Sequence, residues 1–151
     1  MIKIICVGKI KEKFYQEAIN EYKKRLSKYT KLEIVECKDY SDGSIDEIIA
    51  KEKEEIIKYI ADRDYVITLE IDGNQIDSVG LANKLNQVFN TTSTITFIIG
   101  GSYGLHQDIK DKSNYALSFS RMTFPHQLFR VILLEQLYRS YKINNNESYH
   151  K

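Results

Sequence analysis

The sequence predicts an α/β protein built on a parallel-dominated sheet with helices on both faces. Two observations carry this. Five short apolar runs (2–7, 32–37, 65–70, 95–99 and 115–119) alternate with segments whose apolar residues recur at helical spacing, giving the order βαβαβαβαβα. The runs at 2–7 and 95–99 are also apolar almost throughout, the pattern of strands covered on both sides rather than on one. No linker, repeat or low-complexity segment interrupts the alternation, so residues 1–151 are expected to form a single domain.

Ile2–Val7 is broken only by Lys3, and Gly8 ends it. From Lys11 to Ser27, the residues Tyr15, Ala18, Ile19, Tyr22 and Leu26 mark one face of a first helix. Leu32–Cys37 alternates apolar and charged residues except at Ile34-Val35, and reads as a strand. After the loop Tyr40–Ser44, Ile45, Ile48, Ile49, Ile56, Ile57 and Ile60 mark a second helix, with the charge run Lys51–Glu55 as its solvated face. Tyr65–Glu70 is a β-branched third strand closed by the polar turn Asp72-Gly73-Asn74. A third helix follows over Val79–Phe89, with Ser78 as its expected cap. Ile95–Ile99 runs directly into Gly100-Gly101-Ser102-Tyr103-Gly104, then a short helix from Leu105 to about Lys112 that carries His106 on its surface. Tyr115–Phe119 is the last strand. Beyond the polar turn Ser120–Thr123, Pro125, the only proline, opens the final helix, with Thr123 expected to cap it. That helix shows Leu128, Phe129, Val131, Ile132, Leu133 and Leu134, interrupted only by Arg130. A helix this apolar is deeply buried or partly covered by a second chain.

Composition narrows the function. Hydrophobic residues at 42% and charged residues at 28% are those of a soluble globular protein, and no apolar run is long enough to span a bilayer. The opening MIKIICVGKI reads as a strand and not as a signal sequence. Cys6 and Cys37 fall in predicted buried strands, as core thiols of a reducing cytoplasm do, and no metal site is expected. The net charge of +1 excludes a broadly basic nucleic-acid binder. Residues 1–64 carry 14 basic and 14 acidic side chains, whereas residues 121–151 carry five basic against two acidic, so any basic surface is local.

In parallel sheets ligands bind beyond the carboxyl ends of strands. Three strand ends carry unusual turns: Leu69–Gly73, Gly100–Gly104 and Phe119–Phe124. Gly100 and Gly101 allow backbone to approach a ligand closely, and Gly104 permits positive φ before the next helix. A tight turn with no ligand explains the glycines equally well. The loop is not a Walker loop, which would end in Gly-Lys-Ser/Thr, nor a dinucleotide fingerprint, which belongs after the first strand.

Taken together, LEIDG, IIGGSYG, LSFSRMTFPHQLFRVILLEQLYRSYKI and the terminal SYHK resemble the ribosomal large subunit methyltransferase H family, within the knotted SPOUT superfamily. The resemblance runs from end to end, including the VGK opening at Val7. It implies a C-terminal trefoil knot, S-adenosyl-L-methionine as methyl donor, and a homodimer that methylates N3 of a pseudouridine in 23S rRNA on the assembled ribosome. By position it assigns Leu69, Gly100 and the run Phe119, Ser120, Arg121, Met122, Thr123 and Phe124 to the cofactor, with Gly101 beside them. Leu69 and Phe119 taken alone read as core. His126, next to the cofactor loop, is the expected proton acceptor or else a helix-terminal residue bonding the turn. Arg130 needs an acceptor, either a phosphate or a carboxylate such as Glu135. Tyr149 and His150, with Lys151, combine an aromatic, an imidazole and a cation suited to an RNA edge. The tail departs from the family at Asn144-Asn145-Asn146, where a basic residue and a glycine are usual. The competing reading is a non-catalytic ribosome-associated RNA-binding module.

Overall fold

The computed structural model describes residues 1–151 and contains five strands and five helices. The strands are β1 (Ile2–Val7), β2 (Leu32–Cys37), β3 (Tyr65–Gln75), β4 (Ile95–Ile99) and β5 (Tyr115–Ser118). They form one sheet in the order β2-β1-β4-β3-β5, with every neighbouring pair parallel. The helices are α1 (Lys13–Leu26), α2 (Ile45–Ile57), α3 (Ser78–Phe89), α4 (Gln107–Lys112) and α5 (His126–Asn144).

Strand side chains alternate between the faces, and so divide the core in two. Ile2, Ile4, Cys6, Ile67, Ile95, Phe97 and Ile99 join α1, α3 and α5 on one face. Ile5, Val7, Val66 and Ile98 join α2, Leu105 and α4 on the other. Central strands β1 and β4 are therefore apolar on both sides, as their sequence requires. Cys6 belongs to the first layer and Cys37 to the second, so the sheet itself separates two free thiols. Burial pushes Cys6 up to about 12 and Cys37 up to about 11, which leaves both protonated at neutral pH.

Several local expectations are corrected. Asp77, not Ser78, caps α3 by accepting from Gly80 N–H at 2.7 Å, while Ser78 turns its hydroxyl to Gln136. Pro125 itself is the N-cap of α5, and Thr123 makes no capping bond. The charge run on α2 is not wholly solvated: Glu52 is buried four residues after Ile48 and four before Ile56, on the stripe that faces the sheet. The turn at Asp72-Gly73-Asn74 does not end β3. Pairing with β5 resumes at Asn74 opposite Leu117 after an excursion over residues 70–73. A Cβ at Gly73 would lie 2.9 Å from the Ala116 and Leu117 backbone, so only glycine lets β3 and β5 approach this closely.

α5 buries a single stripe, Arg130, Leu133, Leu134, Leu137 and Ser140, against the sheet, α1 and α3. Leu128, Val131 and Ile132 remain half-buried. No helix is long and apolar enough to cross a membrane.

Candidate active site

The excursion within β3 and the carboxyl ends of β4 and β5 open into one cavity of about 350 Å³. Its walls are the three turns singled out from the sequence. Leu69–Asp72 belong to the β3 excursion, Gly100–Gly104 follow β4, and Phe119–Phe124 follow β5. Leu69, Phe119, Met122, Phe124 and Phe129 form the apolar side, with Phe119 and Phe129 edge to face at 5.1 Å. Each turn is fixed locally. Ser118 Oγ donates to Ile71 O at 2.8 Å, tying the β5 turn to the β3 excursion. Met122 N–H donates to Ser120 Oγ at 3.0 Å. Gly104 N–H donates to Gly101 O at 3.1 Å, and Gly104 has φ of +83°, the left-handed conformation that glycine adopts freely.

Most expected cofactor residues meet here. Leu69, Gly100, Gly101, Phe119, Ser120, Met122, Thr123 and Phe124 line the cavity, whereas Arg121 lies in the same loop but turns outward to solvent. Of the two readings of the glycine loop, the tight turn has a direct contact behind it at position 100. A Cβ there would strike the Gly104 carbonyl group at 2.9 Å and Leu105 Cδ2 at 3.0 Å, and so the residue closes the loop on itself.

His126, the first residue of α5, also lines the cavity. His126 remains exposed at the cavity mouth, and partial desolvation of its ring, with a smaller contribution from the Arg130 charge, lowers its pKa below the ordinary histidine value. It is therefore a neutral imidazole at pH 7, with a ring nitrogen free to accept a proton.

Arg130 is elsewhere. It is 3% exposed, and its guanidinium reaches Glu36 at 2.6 Å and donates to Gly8 O at 3.1 Å. Glu36 thus takes the place expected for Glu135 or a phosphate, because Arg130 lies on the stripe facing the sheet. One turn earlier Gln127 Oε1 accepts from Lys11 N–H and Glu12 N–H at 2.9 and 3.2 Å. Together they clasp the β1–α1 loop to the start of α5.

Tyr149 and His150 fold back along α5. Tyr149 Oη donates to Glu135 at 3.0 Å and packs edge to face on Tyr138, while His150 Nδ1 lies 3.1 Å from Arg139 Nη1. Arg139 and Glu135 are themselves paired at 2.6 Å. Glu135 is nine residues beyond His126, about 14 Å along the helix, so the tail stands well away from its own chain's cavity. The sequence reading overlooked Glu70, Asp72 and Lys110, which supply charge at the cavity wall. Glu70 and Asp72 were findable, since they fall within the strand-end motif beside Leu69.

A family model described as "Predicted SPOUT methyltransferase" matches residues 1–150. The chain belongs to the SPOUT methyltransferase family. Within that family, it is 54% identical over 157 aligned positions to a Methanococcus maripaludis (strain C5) protein named "Putative ribosomal RNA large subunit methyltransferase H", with 99% of each chain covered. The methyltransferase H resemblance is thereby shown. A solved Haemophilus influenzae Rd KW20 structure, described as a probable methylase family protein, superposes with a TM-score of 0.56. It covers 99% of this chain and 70% of its own at 17% identity, a likeness of fold alone. For a SPOUT chain the cavity is thus bordered by the three turns its strand order brings together, and no side chain of α1 or α2 lines it.

Proposed function

We propose that this cytoplasmic protein uses S-adenosyl-L-methionine to methylate N3 of a pseudouridine in 23S rRNA on the assembled ribosome, acting as a homodimer. The convergence of three strand-end loops on one half-apolar cavity carries this reading. The volume suits a small-molecule ligand, and the lining combines apolar side chains with backbone groups that can read an adenine edge. The name of the Methanococcus relative supplies the RNA class.

When bound, the cofactor supplies an already activated sulfonium methyl, so the protein's task is alignment and removal of one proton. Leu69, Phe119 and Phe124 would wall the ligand off from water, with the exposed Met122 at the rim. Glycine-loop backbone at Gly100 and Gly101, with Ser120 and Thr123 of the opposite loop, would orient it, while Arg121, facing solvent, is left to meet RNA at the cavity mouth. The N3–H bond would break as N3 takes the methyl group, the methyl–sulfur bond breaking to leave a neutral thioether. Neutral His126 accepts that proton, which then passes to solvent. Tyr149, His150 and the Arg139–Glu135 pair grip the RNA at the neighbouring subunit's cavity, because they stand too far from their own. Arg130 acts on the site through the β1–α1 loop. The trefoil knot is part of the proposal. The close approach of Gly73 to the Ala116–Leu117 backbone, with Ser118 tied to Ile71, is the contact that a threaded β5 turn would need.

Calorimetric titration with S-adenosyl-L-methionine, followed by transfer of labelled methyl to ribosomes lacking the modification, tests the reading. Saturable binding and one methyl group per large subunit are expected. No saturable heat at millimolar cofactor would overturn it in favour of a non-catalytic module.

A further inference from the structure

Glu52 is a carboxylate inside the protein, only 4% exposed, directly beneath the glycine loop. Its Oε2 accepts from Tyr40 N–H at 3.2 Å, but its Oε1 has no hydrogen-bond partner. A carboxyl buried with one oxygen unpaired is costly, and it stands on the α2 stripe of Ile48 and Ile56 that faces the sheet. Burial raises its pKa above the usual carboxylate value, against the Tyr40 N–H bond and with a small further rise from Asp39.

Gly101 rests on this carboxyl. A Cβ at Gly101 would lie 2.8 Å from Oε1, 3.1 Å from Oε2 and 3.1 Å from Val7 Cγ1. The φ of Gly101 is not in the left-handed region, so the backbone itself would accept an alanine. What excludes a side chain is chiefly the carboxyl below. The next residue of α2, Lys53, reaches Asp108 at the start of α4 at 3.1 Å. α2 thus holds the glycine loop from beneath and, through Lys53, the helix that follows it.

We propose that Glu52 is a positioning residue for the cavity, a shelf that sets the height of Gly101 and with it the Gly100–Gly104 backbone. Its effect on cofactor affinity rests on the proposed function, whereas its effect on the loop does not. Removing the shelf lets the loop sag. Adding a methyl group to Gly101 lifts the loop, and doing both restores the fit.

The test compares Glu52→Ala, Gly101→Ala, the double variant and Glu52→Gln. It reads backbone amide exchange at residues 101–104 in the ligand-free protein and calorimetric S-adenosyl-L-methionine affinity. Each alanine variant is expected to speed loop exchange and weaken binding about tenfold, with the double variant back within about threefold of wild type. Glu52→Gln, which keeps the shape, should stay near wild type. Gly101→Ala does not depend on whether Glu52→Ala folds, and wild-type exchange in it overturns the inference. So does a double variant that shows the product of the two single effects, or a Glu52→Ala protein with only a lowered unfolding midpoint. If exchange follows the expected pattern while wild type itself binds no cofactor, the cofactor reading falls and the shelf stands.

Discussion

Asn146 is the only non-glycine residue with positive φ, at 55°, and it ends α5. Glu147 N–H returns to Lys142 O at 3.0 Å and Asn146 N–H to Ile143 O at 3.1 Å, a Schellman closure with asparagine where glycine is usual. Asn146→Gly should therefore stabilise the fold by up to about 1 kcal/mol in urea unfolding, and Asn146→Val should destabilise it by at least as much. At His126 the expectation concerns pH. A lowered pKa keeps the ring neutral at pH 7, so the acid limb of the methyl-transfer profile should lie below about 6.5. Above that limb His126→Gln should fall about a hundredfold and lose the limb altogether. The same lowering means the unfolded chain binds more protons here, so this residue makes stability rise with pH through that window. Residue types at the site were legible from sequence; their partners were not. Gly100 and Gly101 look alike in the chain, but one is pressed by Gly104 and the other by Glu52, contacts made by residues distant or indistinct in pattern. Glu52 did carry a signal, its spacing of four from Ile48 and from Ile56.

All ten elements were visible in the alternation of apolar runs and helical spacing, because β1 and β4 are short and buried, β2 and the first half of β3 are rich in β-branched residues, and each helix is amphipathic or greasy. The continuation of β3 past Gly73 was not. Glu70, Asp72 and Gly73 are polar or turn-forming, and only the pairing of Asn74 and Gln75 with β5 makes their far side a strand. Tail placement was equally hidden, since Tyr149 and His150 lack periodicity and are held by Glu135 and Arg139 on the preceding helix. Deleting Ser148–Lys151 should leave cofactor affinity and dimerisation nearly unchanged and strongly reduce ribosome methylation. Mixed dimers then assign the tail. One chain lacks it and the other carries Gly100→Val, which breaks the glycine loop. Half the wild-type activity is expected, because one composite site keeps both an intact loop and an intact tail. A dead mixture would place each tail at its own cavity.

At the scale of the whole molecule, the fold class and parallel sheet were readable, whereas strand order and threading are properties of three-dimensional closure that a single sequence pattern does not encode. Exposed Ile76 and half-covered Ile132, with Leu81, Leu117 and Phe119, line a groove of about 290 Å³ beside α5. Such patches favour a two-fold, self-complementary contact. Light scattering at micromolar concentration should return twice the 17.7 kDa chain mass, and a monomer mass would sink the dimer. The position of α5 also bears on how the protein is made. It is the last helix in the chain, yet it covers the sheet between α1 and α3 and secures the loop after β1 through Gln127 and Arg130. Synthesis delivers β1 first and α5 last. Until α5 has emerged the nascent chain therefore carries an open apolar face and an unfastened first loop, and the fold can close only once that helix is free to pack. Stop codons late in the message should for that reason yield chains that aggregate or are degraded, rather than shortened enzymes.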